Sequence, residues 1–210
     1  MKLGWRSFLA NFSCSHAFPP IMRALSQNKD GMKLLAISGS ARKESTNTAL
    51  LVGMKDLAPA GIELSVFQSL NMLPVFSPDL EGDATPAEVR EFMKAVSNTD
   101  GIIISSPEYV RAIPGGLKNA IDWMVSRDEI IDKPIALVHA SHRGEDMLLS
   151  LRLVLSTVSS NFLEHLFLRV PLIGKSPNEI GELLRVPEIE SSITSFLVDF
   201  SAAVRQSGLR

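Results

Sequence analysis

The chain has 210 residues, of which 45% are hydrophobic and 21% charged, with a formal net charge of −2. This length suits one folded domain with an additional segment, and the composition is ordinary for a soluble globular protein. The slight negative charge and the lack of a basic run argue against nucleic-acid binding, and no apolar run is long enough to span a membrane. The single cysteine, Cys14, excludes an intramolecular disulfide and a cysteine-rich metal site.

The first 29 residues contain four basic side chains and no acidic one. A mitochondrial or chloroplast targeting segment has this composition. An upstream start codon is the simpler explanation, because Met32 immediately precedes the first predicted strand. We therefore predict a disordered extension without a chemical role over residues 1–31 and a folded domain over residues 32–210. A cytoplasmic location is expected, with organellar targeting by the extension as the alternative.

Five apolar segments predict β-strands, and the segments between them predict helices. The strands are predicted at residues 33–38, 62–67, 101–106, 134–140 and 165–172. The helices are predicted at residues 48–57, 117–126, 146–159 and 188–205, with one more that begins at a capping box, Thr85-Pro86-Ala87-Glu88. The second strand alternates apolar and polar residues and is predicted near a sheet edge. This alternation of strands and helices predicts an α/β fold with a doubly wound parallel sheet.

A polar loop follows the first predicted strand, at residues 39–48. Where a helix begins, it offers the amide of Asn47, the guanidinium of Arg42 and four hydroxyls, those of Ser40, Ser45, Thr46 and Thr48. The first helical N–H groups lack internal partners and the helix dipole is positive at that end, so a phosphate can bind there. The alternative is that these side chains only cap the helix.

Two further polar loops follow the third and fourth predicted strands. One begins Pro107-Glu108-Tyr109-Val110, and the other begins at Ser141. Because the carboxyl ends of parallel strands meet at one edge of the sheet, where such folds bind ligands, the three loops are expected to converge. This convergence strengthens the prediction of a phosphate-bearing ligand.

Several other chemistries are excluded by the sequence. It contains no G-x-G-x-x-G dinucleotide fingerprint, no G-x-x-x-x-G-K-[ST] phosphate loop and no G-x-S-x-G nucleophile elbow. His139 and His142 straddle a strand end without an H-E-x-x-H pattern, so we predict no metal site. His139 and His165 are predicted as buried strand residues.

The first two loops carry motifs of a known family. The segment from Gly39 to Asn47 reads GSARKESTN and resembles the G-S-x-R-x-x-S-x-N loop of NAD(P)H-dependent FMN reductases. The segment from Pro107 to Trp123 reads PEYVRAIPGGLKNAIDW and resembles that family's P-E-Y-N-x-x-x-P-G-x-L-K-N-A-I-D-W block. The resemblance extends from Met32 to about the last helix, and it implies a flavodoxin-like fold with three α/β/α layers.

The resemblance also implies FMN as the cofactor and NAD(P)H as the co-substrate. Backbone groups of residues 107–110 are then expected at the polar edge of the isoalloxazine, with Tyr109 near the ring. The FMN phosphate is expected to be held by first-loop residues: Ser40, Arg42, Ser45 and Asn47.

The sequence departs from the family pattern in two places. Val110 stands where the family usually has Asn, which removes a side-chain amide beside the flavin. The third loop, residues 141–145, lacks the small residues common there. Ser141 is expected to contact the cofactor, whereas His142 and Arg143 either contact the flavin or the nicotinamide phosphate or point into solvent.

By resemblance, the reaction is hydride transfer from NAD(P)H to flavin, followed by reduction of a quinone, azo compound, metal oxyanion or free flavin. No side chain need act as an acid or base, so no catalytic residue is predicted. The resemblance also implies a homodimer or homotetramer, with Trp123 and Met124 as candidate contacts or, alternatively, buried core. Two further alternatives are a flavodoxin-like electron carrier or redox sensor, and a domain that has lost its flavin and serves only as a partner surface.

Overall fold

Five parallel strands form one sheet between two layers of helices in the computed structural model, which describes residues 31–42, 44–125, 127–172 and 174–208. The strands are β1 (Met32–Ser38), β2 (Ile62–Phe67), β3 (Gly101–Ser105), β4 (Ile135–His139) and β5 (Phe162–Arg169). Their spatial order is β2-β1-β3-β4-β5, which is the order of flavodoxin-like folds. The direction of winding changes between β1 and β3, so the predicted fold class is confirmed.

Six α-helices cover the two faces of the sheet in the described part of the chain. They are α1 (Thr46–Asp56), α2 (Ala87–Ser97), α3 (Gly115–Val125), α4 (Glu145–Val158), α5 (Pro177–Leu183) and α6 (Pro187–Ser207). Short 3₁₀ turns occur at Leu70–Met72, Pro78–Leu80, Gly82–Ala84 and Asp128–Ile130. None of the described helices is long and apolar enough to cross a bilayer.

The core forms two layers because neighbouring side chains of each strand point to opposite faces. On β1, Leu35 and Ile37 pack with α2, α3 and α4, whereas Leu34 and Ala36 pack with α1, α5 and α6. Every residue of the central strand β3 is buried. The continuous apolar character of β1 and β3 therefore reflects burial on both faces of the sheet.

Most predicted elements are confirmed within a few residues, and β2 lies at a sheet edge as expected. The last strand was misplaced, since β5 begins at Phe162 rather than near His165. His165 is exposed on this strand, so the prediction of a buried side chain there was wrong. The predictions for residues 1–30 lie outside the described residues.

The capping box predicted at Thr85 is also wrong. Helix α2 begins at Ala87 with Pro86 in the capping position, and no side chain caps it. The Thr85 hydroxyl is buried and accepts a hydrogen bond from Arg127 instead. Tertiary contact therefore replaces the local cap.

Helix α5 was not predicted, although it begins with a complete capping box. The hydroxyl of Ser176 accepts from the backbone N–H of Glu179, whose carboxylate accepts from the N–H of Ser176. The sequence Ser176-Pro177-Asn178-Glu179 carries this signal in full. Its apolar side chains are few, which is why periodicity alone did not reveal the helix.

Candidate functional site

The loops that follow β1, β3 and β4 line one cavity of about 270 Å³ at the carboxyl edge of the sheet. Its lining combines hydroxyl, amide, carboxylate, imidazole and guanidinium groups from all three loops: Thr46, Asn47, Ser106, Pro107, Glu108, His139, Ala140, Ser141, Arg143 and Gly144. The predicted convergence of the loops is thus observed. A larger hollow of about 360 Å³ lies at the amino edge, where its acidic lining faces away from these loops.

The first loop leads into the N-terminus of α1, where Ser45 is the cap. The Ser45 hydroxyl accepts a hydrogen bond from the backbone N–H of Thr48 at 3.4 Å, and the Ser45 carbonyl accepts one from the backbone N–H of Ala49. The N–H groups of Thr46 and Asn47 have no acceptor within the helix, because they belong to its first turn. The first turn of α1 contains no acidic residue, so no carboxylate within that turn opposes the positive end of the helix.

Buried hydrogen bonds hold the start of α1 against two central strands. Asn47 is 4% exposed, and its side-chain oxygen accepts from the Ser105 hydroxyl at 2.9 Å. The hydroxyls of Ser38 and Thr48 are 2.7 Å apart. The predicted binding residue Asn47 therefore fixes the helix to β3, and this contact leaves its amide N–H₂ group available.

Ser40 and Arg42 occupy different positions in the first loop. Ser40 is 3% exposed, and its hydroxyl accepts from the backbone N–H of Arg42 at 3.2 Å, so it braces the turn. The side chain of Arg42 is exposed and does not line the cavity. The structure thus brings Asn47 into the cavity wall and leaves Arg42 at the surface of the loop.

Close approach between the first two loops depends on Gly39. A Cβ at this position would lie 2.6 Å from the hydroxyl oxygen of Ser106 and 2.9 Å from a methyl group of Leu117. Real Cβ atoms do not approach other atoms so closely. Glycine therefore allows the end of β1 to pack directly against the start of the second loop.

The second loop is fastened to α4 by two side chains. The Glu108 carboxylate accepts from the backbone N–H of Met147 at 3.1 Å, so it caps α4 from outside the helix. Arg111 and Asp146 form an ion pair at 2.5 Å. This pair lowers the pKa of the Asp146 carboxyl through the hydrogen bond from Arg111. Because it accepts the hydrogen bond from Met147, the Glu108 carboxylate already has a partner within the protein.

The tip of the second loop is a tight turn with unusual backbone angles. Tyr109 and Ala112 exchange two backbone hydrogen bonds, of 3.2 and 3.0 Å. The two residues between them have positive φ, 51° at Val110 and 59° at Arg111. Both central φ angles are positive in type I′ turns, which favour Asn and Gly. The side chain of Val110 is 99% exposed and that of Tyr109 is 47% exposed.

The third loop is held by His139, the last residue of β4. His139 is 1% exposed, and its Nε2 lies 2.5 Å from the carbonyl oxygen of Arg143, so Nε2 carries the hydrogen. Its buried Nδ1 has no hydrogen-bond partner among the described residues. Burial lowers the pKa of His139, and the Arg169 charge adds to this effect. The prediction of a buried strand histidine is confirmed here, and the residue also lines the cavity.

The same loop contains two further constraints. The Ser141 hydroxyl accepts from the N–H of Arg143 at 2.8 Å. Gly144 precedes α4 with φ of 101°, and a Cβ there would lie 3.0 Å from Nε2 of His139. His142 and Arg143 are exposed, and Arg143 contributes to the cavity lining.

Four of the lining residues were not predicted as site residues: Ser106, His139, Ala140 and Gly144. Ser106 and His139 lie at or next to the carboxyl ends of β3 and β4, where ligands bind in this type of sheet. That rule, applied residue by residue, would have identified both. Trp123 and Met124, candidate partner contacts, are 0% and 1% exposed, so the alternative of buried core is correct. Among the described residues, no cluster of three metal-ligating side chains occurs.

Comparison with known proteins gives one family. The model of NADPH-dependent FMN reductases matches residues 32–170. A quinone reductase of Escherichia coli (strain K12) is 33% identical over 118 residues, which is 54% of this chain and 61% of that protein. A 2-hydroxy-1,4-benzoquinone reductase of a Burkholderia species is 37% identical over 92 residues, 44% of this chain and 49% of the relative. The chain thus spans about half to three fifths of these curated relatives.

A solved structure supports the same fold. The flavoenzyme NAD(P)H:(acceptor) oxidoreductase FerB from Paracoccus denitrificans has a TM-score of 0.65 and 22% sequence identity, covering 83% of this chain and 98% of that one. At this identity the likeness concerns the fold alone. The family match covers well over half of the chain, at the residues that build the three loops. The chain therefore belongs to the NADPH-dependent FMN reductase family.

Proposed function

We propose that the chain is an FMN-dependent NAD(P)H oxidoreductase that passes hydride from NAD(P)H through bound FMN to a small-molecule acceptor. The observation that carries this proposal is the convergence of three polar loops on one cavity at the switch point of the sheet, within a chain of this family. The first loop adds a helix N-terminus without acidic residues. A phosphate-bearing cofactor is the ligand that these features favour.

The phosphate of FMN is assigned to the first loop. The N–H groups of Thr46 and Asn47 can donate to phosphate oxygens, and the Arg42 guanidinium can pair with two of them. Hydrogen bonds to charged groups contribute roughly 1.5–3 kcal/mol each. The hydroxyl of Ser45 caps the helix and the hydroxyl of Ser40 braces the turn, so we assign both residues to shaping the loop around the phosphate.

The flavin ring is assigned to the second and third loops. The turn at residues 109–112 and the carbonyl and N–H groups of residues 107–110 offer a polar edge, and Tyr109 offers an aromatic face. Glu108 contributes its backbone here, because its carboxylate caps α4. Ser141 lines the cavity beside these groups. The close approach at Gly39 keeps the first two loops near enough to share one ligand.

FMN, when bound, supplies the hydride and electron-transfer chemistry. The chain's own contribution is to bind the phosphate, orient the ring and exclude water from one side of it. No side chain in the cavity is assigned as a proton donor or acceptor. The names of the two relatives support a quinone as the acceptor class, while azo compounds, metal oxyanions and free flavin complete the acceptor screen.

We also propose a homodimer or homotetramer in the cytoplasm. Exposed apolar side chains one helical turn apart on α4, Leu149 at 65% and Leu153 at 69%, support self-association. Their spacing places them on the same helix face. Light scattering measures the assembly size, and a monomer at micromolar concentration would contradict the proposed self-association.

Cell fractionation tests the proposed cytoplasmic location, and recovery of the protein in an organellar fraction would contradict it.

The first experiment is the anaerobic visible spectrum of the purified protein before and after NADPH or NADH. A bound-flavin spectrum that bleaches within seconds supports the reductase. If flavin is bound but does not bleach with either nucleotide, the proposed reductase activity is wrong and the chain is an electron carrier or redox sensor. A colourless protein that FMN does not restore would contradict flavin binding altogether.

A variant tests the assignment of the phosphate. Arg42→Ala is expected to weaken FMN binding at least tenfold, since about 1.4 kcal/mol corresponds to one factor of ten. Arg185→Ala is the matched control, because Arg185 is exposed and lies outside the cavity lining. Equal flavin retention by the two variants after dialysis would contradict the role of Arg42.

A further inference from the structure

The charged side chains of α4 near the cavity are mostly paired with one another. Asp146 is 2.5 Å from Arg111, and Glu145 is 2.6 Å from Arg169. Arg143 precedes the same helix, and within the described part of the chain it makes no ion pair with a carboxylate. The third loop therefore presents one guanidinium that is not neutralised by these contacts.

The remaining carboxylate of the cavity is also engaged. Glu108 accepts from the backbone N–H of Met147, so its charge is directed into the start of α4. The Arg143 side chain is exposed and contributes to the cavity lining. A planar guanidinium at a cavity mouth matches two oxygens of a phosphate at once.

The backbone of Arg143 is fixed from two directions. Its N–H donates to the Ser141 hydroxyl at 2.8 Å, and its carbonyl accepts from Nε2 of His139 at 2.5 Å. His139 is 1% exposed, and its Nδ1 is left without a partner among the described residues. A buried imidazole thus uses its single N–H to hold this carbonyl. The backbone of Arg143, from which its side chain extends, is therefore held in place by His139 beneath the cavity.

Resting on the proposed function, we propose that Arg143 recognises a phosphate of the nicotinamide dinucleotide, with His139 as its positioning residue. The FMN phosphate has a separate site at the start of α1, after β1. The third loop follows β4, which is separated from β1 by β3. Neighbouring strands lie about 4.8 Å apart, so the two strand ends are about 10 Å apart. Because Arg42 and Arg143 extend from these separate loops, we assign the two guanidiniums to two different phosphates.

The test compares Arg143→Gln with Arg185→Gln, which makes the same charge change outside the cavity. The expected result for Arg143→Gln is a KM for NADPH raised about tenfold or more, with kcat within about threefold and FMN affinity unchanged. If the KM for NADH is unaffected, the recognised group is the 2′-phosphate. If both KM values rise equally, it is the pyrophosphate.

Direct binding of nucleotide fragments provides a second measurement, which does not depend on hydride transfer. Binding of 2′,5′-ADP and 5′-AMP to the FMN-loaded protein is measured by calorimetry, and Arg143→Gln is expected to weaken at least the former. Unchanged binding and unchanged KM values would overturn the inference. A loss confined to FMN affinity would overturn it as well, because Arg143 would then serve the cofactor.

The role of His139 is tested with two variants. His139→Leu removes the donor and is expected to raise the same KM as Arg143→Gln, whereas His139→Gln can donate an amide N–H and should retain most of the affinity. A His139→Leu protein with reduced kcat and FMN affinity but normal KM would overturn the positioning role. If wild type itself fails to bleach with NADPH or NADH, the proposed function fails instead.

Discussion

The strained turn at Val110 allows a prediction about stability. Val110 has a φ of 51° and is followed by Arg111 at 59°, in a turn closed by Tyr109 and Ala112. A β-branched residue is strongly disfavoured at positive φ because its Cβ substituents crowd the backbone. Asn tolerates this conformation and is favoured in such turns. Val110→Asn should therefore stabilise the protein.

The size of the effect follows from the exposure of the side chain. The left-handed conformation costs a non-glycine residue roughly 1–2 kcal/mol. Because Val110 is 99% exposed, its replacement removes almost no buried apolar area. We expect Val110→Asn to recover about 1 kcal/mol, which for a domain of this size raises Tm by about 2–4 °C. Val110→Gly should gain less, since glycine increases the entropy of the unfolded chain.

The assay is urea unfolding and thermal unfolding of flavin-free protein, so that a change in cofactor affinity does not contribute. The control is Val75→Asn, at a position that is 81% exposed and has no positive φ. It should change stability by no more than about 0.5 kcal/mol. If Val110→Asn is neutral or destabilising while the control is neutral, backbone strain is not the dominant property of this turn.

Two further predictions concern the loops beneath the cavity. Gly39→Ala should destabilise the protein by roughly 1–3 kcal/mol, because its Cβ would lie 2.6 Å from the Ser106 hydroxyl; an unfolding free energy equal to wild type in urea would contradict the close approach. His139 should make stability fall as pH drops below about 6.5, because burial lowers its pKa and the unfolded chain takes up the proton first; the limiting slope is about 1.4 kcal/mol per pH unit. Urea unfolding at pH 7 and pH 5 should show a free energy of unfolding that depends less on pH in His139→Gln than in wild type, by up to that slope. An unchanged slope would assign the pH dependence to other groups.

The sheet could be predicted from sequence because its strands are buried on both faces. Residues 33–38 and 101–106 are almost continuously apolar, and a parallel sheet covered by helices requires this pattern. The edge strand β5 gives a weaker signal, since Glu164 and His165 are exposed on it. Its predicted position was accordingly late by a few residues.

The two strand histidines show why burial is harder to predict than strand formation. His139 lies on β4, between β3 and β5, and is 1% exposed. His165 lies on β5, which has a neighbour on one side only. Both occur in similar apolar segments, so the difference depends on spatial order, which local sequence does not contain. The capping-box sequence at Ser176 forms its cap, whereas the one at Thr85 does not. Here too a distant residue decides the outcome, because Arg127 donates a hydrogen bond to the Thr85 hydroxyl.

The two helix N-termini beside the cavity differ in their local charge, and this difference supports the proposed assignment of the cofactor phosphate to α1. Helix α4 begins with Glu145 and Asp146, and Glu108 caps it from the second loop, so its positive end is already opposed by three carboxylates. Helix α1 has no acidic residue in its first turn. An anion is therefore stabilised by the dipole of α1 and not by that of α4. A second phosphate near α4 must instead be bound by a side-chain cation, and Arg143 is the cation that the third loop places there.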